Sequence, residues 1–414
     1  MPSRFRPMLA ALPLLLAASC GHDPITGPIT ELPRPLTAAE AQLVATDNRF
    51  ALKLFREVAA EQDPSRNLFI SPLSVAMALG MTLNGAAGTT YDSMRLALEL
   101  GGLTPPEINQ SYRSLIGLLR GLDPGVDFTL ANSIWYRQEY TFEPAFLDTN
   151  RVYFDARIQG LDFAAPSAPG TIDGWVSEQT RGRIASIAPN PLPPDAIMFL
   201  INAVYFKGDW TERFERARTQ DAPFRRRDGS TTTVRMMSHA GEVQVGLARE
   251  GSVQVLDLPY AGGAFSMTIA MPDDPAAIDS LVANLTLDQW GGWIGALDSA
   301  EILVSMPRFT LTSDLTLNDV LASLGMQVAF CGPWVTDFSR MIRSVDACIS
   351  NVKHKTFVDV NEEGTEAAAA TSVEIGVTSA PQAVIVDRPF VFVIRERFSG
   401  TILFIGKVVD PSAG

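Results

Sequence analysis

From Thr365 to Val377 every odd-numbered residue (Thr365, Ala367, Ala369, Thr371, Val373, Ile375 and Val377) is apolar or a threonine, and none is charged. The even positions carry Glu366, Ser372 and Glu374, with alanine and glycine between them. Successive side chains of an extended chain point to opposite faces, so this is the pattern of a strand buried on one face. Gly364 and the run Ala367, Ala368, Ala369, Ala370 suit a solvated, mobile loop equally well. The segment can therefore be either a half-buried strand or a solvated loop. The plainer alternative is a flexible alanine-rich loop with no second state.

The rest of the chain can supply a large core. Of 414 residues, 46% are hydrophobic and 19% charged, which fits a globular chain and not a disordered one. The net charge of −13 and the lack of a Lys/Arg-rich block argue against a nucleic-acid partner. Arg225-Arg226-Arg227 reads as a solvated turn.

Helical signals come first. Asp47 or Asn48 can cap a helix whose Phe50, Leu54 and Val58 share a face. Ser71-Pro72 is a cap followed by a first-turn proline, opening an apolar helix over Leu73 to Leu83. Thr171 to Ile187 is a further helix candidate. Strand signals follow: Val253 to Pro259 and Phe265 to Met271 around Ala261-Gly262-Gly263, then Ile302 to Met306, Phe357 to Val360, Val391 to Ile394 and Ile402 to Ile405. With no internal linker or repeat, this predicts one α+β domain over residues 45–414.

At the N-terminus, Arg4 and Arg6 precede an apolar stretch from Met8 to Ala18, too short to span a membrane and typical of an export signal over residues 1–19. Leu16-Ala17-Ala18-Ser19-Cys20 resembles a bacterial lipobox, with Ala17 where leucine is usual; an ordinary cleaved signal is the alternative. Lipidation of Cys20, with Gly21 after it, implies anchoring at an outer membrane, the lipid being the one membrane contact. Pro24, Pro28, Pro33 and Pro35 make residues 20–44 an extended tether. Cys331 and Cys348 remain, either as a disulfide in an oxidising compartment or as buried thiols. No Cys/His cluster supports a metal site, and no GxSxG, HExxH, phosphate-loop or dinucleotide motif supports catalysis or a cofactor. The chain is expected not to be an enzyme.

Several motifs in one order resemble the serpin family. Asn67 to Ser74 (NLFISPLS), Asn202 to Phe214 (NAVYFKGDWTERF), Met236-Met237, Leu256 to Tyr260 (LDLPY), Ile269 to Pro272 (IAMP), Leu321 to Phe330, Asp337 to Ser339, Asp387 to Phe390 and Leu403 to Gly406 each match a family pattern. Glu362-Glu363-Gly364-Thr365-Glu366, then Ala367 to Ala370 and Thr371, resembles the hinge of the family's reactive loop in its small-residue, inhibitory form.

The resemblance implies three β-sheets, eight to nine helices and an exposed reactive loop over about 362–381. It implies a monomeric inhibitor whose partner is a serine protease. The protease cleaves the loop, becomes covalently trapped as an acyl-enzyme, and is carried off as the cut loop enters a sheet. Counting from Glu362, or back from Pro389-Phe390, the implied scissile bond is Thr378–Ser379, or one residue earlier at Val377. Small β-branched residues there, Ile375 nearby and no Arg or Lys between Gly364 and Val386 imply an elastase-like or subtilisin-like target. His354 is implied to sit under the opening sheet, bonded to Asn202 and Ser71 near Ser74, and Trp210 where the loop first enters. The alternative is a non-inhibitory member serving as a binding, chaperone or adhesion surface.

Overall fold

The structure, a computed structural model, describes residues 27–365 and 383–413. The first helix, α1 (Ala38–Glu61), is fixed by a capping box: Thr37 Oγ1 accepts from the Glu40 N–H, and the Glu40 carboxylate accepts from the Thr37 N–H. It thus begins upstream of the expected cap and inside the expected tether. Asp47 and Asn48 are buried in mid-helix, not capping it. Asp47 Oδ1 accepts from the Tyr112 hydroxyl at 2.9 Å, and burial raises its pKa to about 7. The chain upstream is also docked. Arg34 pairs with Glu40, and the Ile29 N–H donates to the Gly262 carbonyl at 2.7 Å.

The chain continues through β1 (Leu68–Ile70), α2 (Pro72–Leu83), α3 (Gly88–Ala97), α4 (Pro105–Leu119), β2 (Val126–Arg137), α5 (Pro144–Phe154), β3 (Arg157–Leu161) and α6 (Ala168–Gln179). Helix α6 stops eight residues short of the expected Ile187, because Arg181 and Gly182 take left-handed φ values of 52° and 81°. There follow β4 (Met198–Asp209), β5 (Gln220–Arg225), β6 (Thr231–Ser238), β7 (Val243–Glu250), β8 (Val253–Tyr260), β9 (Phe265–Pro272), α7 (Ile278–Asn284), α8 (Leu287–Gly295), β10 (Asp298–Pro307), β11 (Phe309–Thr316) and the short α9 (Asn318–Leu321). The last strands are β12 (Lys353–Val360), β13 (Gly364–Thr365), β14 (Ala383–Ile385), β15 (Phe390–Glu396) and β16 (Ile402–Val408).

The fold is α+β, with nine helices among the described residues. One sheet has the order β11-β12-β13-β4-β2-β3. The other two expected sheets share β10, whose first half pairs with β7 and whose second half pairs with β6 and β14. On one face of the six-stranded sheet, α2 lies against β4 and β16, and Phe206 packs on Tyr260, Phe265 and Phe404. The opposite face of β2 and β4 is covered by α6 through Trp135, Trp175, Ile201 and Ala203. Alternation along β4 and β12 sorts residues between these faces: His354, Thr356, Val358 and Val360 are buried while Lys355, Phe357 and Asp359 are not fully so.

Candidate functional site

The base of the hinge is built into the six-stranded sheet. Gly364 pairs with Asp209 and Thr365 with Gly208 on one side, and Thr365 pairs with Val360 on the other. A Cβ at Gly364 would lie 2.0 Å from the Gly208 carbonyl oxygen, so only glycine fits between these strands. Thr365 is 2% exposed and its Oγ1 lies 2.9 Å from the Tyr260 hydroxyl.

Trp210 holds the turn before it. Its backbone N–H donates to the Glu363 carbonyl at 2.8 Å and its indole Nε1 to the Asn361 carbonyl at 2.9 Å, while the ring stacks on Tyr260 at 4.5 Å. Glu362 and Glu363 are both buried. The Glu362 carboxylate accepts from Thr219 Oγ1 at 2.6 Å and faces Arg308 at 3.6 Å; Glu363 is paired with Arg216. Buried carboxylates need such partners. Tyr260, Thr219, Arg216 and Arg308 were not identified from the sequence as site residues. Tyr260 lies in the LDLPY motif, but the other three come from loops and strand ends with no local signal.

Below Thr365, the sheet has a slot. Among the described residues β12 is laddered to β11 and β13, and β4 to β2 and β13, with no ladder joining β4 to β12. A cavity of about 300 Å³ lies between them, floored by Val75 and Leu79 of α2 and walled by Leu200, Asn202, Ile349 and His354.

Ser74, Asn202 and His354 line this slot and Ser71 is bonded to two of them, but the four do not form one bonded network. The Ser71 N–H donates to His354 Nε2 at 3.0 Å, so the ring is neutral with its proton on Nδ1. Ser71 Oγ donates to the Leu403 carbonyl at 2.8 Å and accepts from the Ser74 N–H as the cap of α2. Ser74 Oγ donates to the Asn202 carbonyl at 3.5 Å. The expected His354–Asn202 bond is not formed, because the two residues stand on opposite walls of the slot. Asn202 Nδ2 turns instead to Asn132 Oδ1 at 2.6 Å, leaving its own Oδ1 buried without a partner.

Burial lowers the His354 pKa to about 4. The neutral ring therefore contributes its full stability above the ordinary value of 6.5 and loses it as pH falls from 6.5 toward 4. Protonation would also remove the acceptor that Ser71 uses. The unaltered protein is expected to lose more thermal stability between pH 6.5 and 4.5 than His354→Gln, measured by unfolding scans at both pH values. Equal losses would show that His354 does not set this dependence.

Glu366 to Thr371, Ile375, Val377, Thr378, Ser379 and Cys20 lie outside the described residues. Cys331 and Cys348 are joined in a disulfide, which resolves the two readings left open by the sequence. Among the described residues no group of His, Cys, Asp and Glu is placed to hold a metal ion, and no helix is long and apolar enough to cross a membrane.

Residues 45–411 match the family model described as Serpin (serine protease inhibitor). The chain is 37% identical over 381 residues to the leukocyte elastase inhibitor of cattle (Bos taurus), covering 89% of this chain and 100% of that one. It is 35% identical to the human (Homo sapiens) leukocyte elastase inhibitor at the same coverage. Among solved structures it resembles the thermophilic serpin tengpin in the native state, with a TM-score of 0.79 and 29% identity over 93% of this chain and 97% of that one.

Proposed function

The chain belongs to the serpin family of serine protease inhibitors, and we propose that it acts as a suicide substrate whose loop completes the slotted sheet. The observation that carries this reading is Thr365, already laddered on both sides directly above the slot. A strand continuing that register would set Ala367 level with Phe206 and Val358, Ala369 with Val204 and Thr356, and Thr371 with Asn202 and His354. Thr365 occupies the core face, so the odd-numbered residues after it share that face by alternation. Thr371 would arrive with a hydroxyl beside the unpartnered Asn202 Oδ1, and Val373 and Ile375 would follow into the apolar cavity.

In the proposed reaction the protease serine Oγ attacks the Thr378 carbonyl carbon. An ester forms, the Thr378–Ser379 amide breaks, and the proton leaves on the Ser379 amine. The cut loop is then free at one end and enters the slot. Backbone pairing and burial of Val373, Ile375 and Val377, worth roughly 1.5–3 kcal/mol each, drive it. The attached protease is carried along and distorted before water can release it.

The small β-branched residues at the bond suit a shallow apolar primary pocket, which favours an elastase-like or subtilisin-like protease. The relatives named as leukocyte elastase inhibitors support the same direction. The test is a panel of purified proteases: SDS-stable complexes are expected with elastase-type or subtilisin-type enzymes. Complexes with trypsin alone would refute this target class. Export, lipidation of Cys20 and a monomeric state complete the proposal, the first two resting on the N-terminal sequence pattern.

A further inference from the structure

Two backbone hydrogen bonds flank the Cys331–Cys348 bridge: Cys331 N–H to the Ile349 carbonyl at 3.1 Å, and Ile349 N–H to the Ala329 carbonyl at 2.9 Å. Together they close residues 331–348 into a loop with fixed ends. Its inner side is core, through Phe338 and Met341. Its tip faces solvent, with Trp334 42% and Val335 86% exposed. The tip is nonetheless fastened. Trp334 Nε1 donates to the Phe330 carbonyl at 3.1 Å, and Thr336 Oγ1 donates to the Ala347 carbonyl at 2.7 Å. A rigid, cross-linked loop presenting adjacent large apolar residues is the kind of surface that meets a partner.

The sheet register identifies the partner. If the proposed inserted strand kept the register of Gly364 and Thr365, residue 378 would come level with Asp195 on the β4 side and Ala347 on the β12 side. Both residues line the foot of the cavity. On the suicide-substrate reading given above, a protease esterified to Thr378 is therefore delivered beside Ala347, the residue to which the loop tip is bonded. We infer that the disulfide-closed loop is the surface on which the trapped protease bears, with Trp334 and Val335 in contact with it.

Hydrolysis of the ester needs the protease's oxyanion hole and its histidine in register with the acyl carbon. A stiff surface at the foot of the slot resists the protease's return to that geometry. A loosened or charged one lets it relax, water cleaves the ester, and active protease and cut inhibitor are released. Trp334 and Val335 are thus positioning residues that act after cleavage and not in the first encounter.

The test compares the unaltered protein with Trp334→Ala/Val335→Asp and with Cys331→Ser/Cys348→Ser, using an elastase-type protease that the unaltered protein traps. Two quantities are measured: the second-order association rate, and the half-life of the SDS-stable complex from recovery of protease activity. Association is expected to stay within about two-fold, while the half-life shortens by about ten-fold or more in both variants. Val335→Asp alone, at a site already in solvent, serves as the variant that folds, checked by its unfolding temperature, and should shorten the half-life in the same direction. Half-lives within about two-fold of the unaltered protein, or a loss confined to association, overturn the inference. If the unaltered protein gives no SDS-stable complex with any protease, the suicide-substrate reading itself fails and takes the inference with it.

Discussion

Replacing Thr365 with arginine is expected to turn the protein from an inhibitor into a substrate. Thr365 is 2% exposed, laddered to Gly208 and Val360, and its hydroxyl meets that of Tyr260. An arginine there points into the packed face of the sheet, where the nearby acids are already engaged: Glu362 by Thr219 and Arg308, Glu363 by Arg216. An unpaired charge in that position costs several kcal/mol, so a strand running through position 365 is strongly disfavoured. The proposed scissile bond, Thr378–Ser379, is thirteen residues away in sequence, and its cleavage does not need that strand. In the proposed mechanism insertion and deacylation compete for the same acyl-enzyme, and a barrier raised by about 2.7 kcal/mol slows insertion roughly a hundred-fold. Titration of a susceptible protease should then show complete loop cleavage, full recovery of protease activity and no SDS-stable band. Thr365→Ser, which keeps the hydroxyl, should retain trapping. A Thr365→Arg protein that still traps would place the odd-numbered residues on the wrong face.

The same residue shows how far the sequence could be read. Alternation from Thr365 to Val377 is a property of side chains alone, and of that odd face Thr365, the one member among the described residues, is buried. Helix α2 was equally legible, because Ser71 and Pro72 mark its start by local chemistry. Helix α1 was not: Asp47 and Asn48 look like caps, yet the true cap is Thr37, and Asp47 is accommodated in the interior by Tyr112, distant in sequence. The clamp on the hinge was hidden for the same reason, since Thr219, Arg216 and Arg308 reach Glu362 and Glu363 only after the chain has folded. Resemblance brought Ser71, Asn202 and His354 to one place, but could not say that a slot would separate the last two. The pairing of Cys331 with Cys348 depended on Phe330 and Ile349 being drawn side by side, which no spacing rule encodes.

Cleaving the loop should make the protein markedly harder to melt. Among the described residues of the uncut chain, no ladder spans the slot between β4 and β12 below Thr365. Both strands therefore have backbone groups facing the gap that a further strand would pair. Once cut, the segment after Thr365 can supply that strand. Val373, Ile375 and Val377 bring roughly 1.5–3 kcal/mol each, and with the backbone pairing the gain is on the order of 10 kcal/mol. For a domain of this size that corresponds to an increase in unfolding temperature of about 10–20 °C. The measurement is a pair of unfolding scans, before and after limited proteolysis confined to residues 366–382, with the cut site read by mass spectrometry. The stabilisation does not depend on which protease makes the cut, so it tests the slot separately from the target class. It also separates the inhibitory reading from its rival. A serpin serving only as a binding or adhesion surface has no need of a strand held in reserve, and an unchanged unfolding temperature after a clean cut would favour that role.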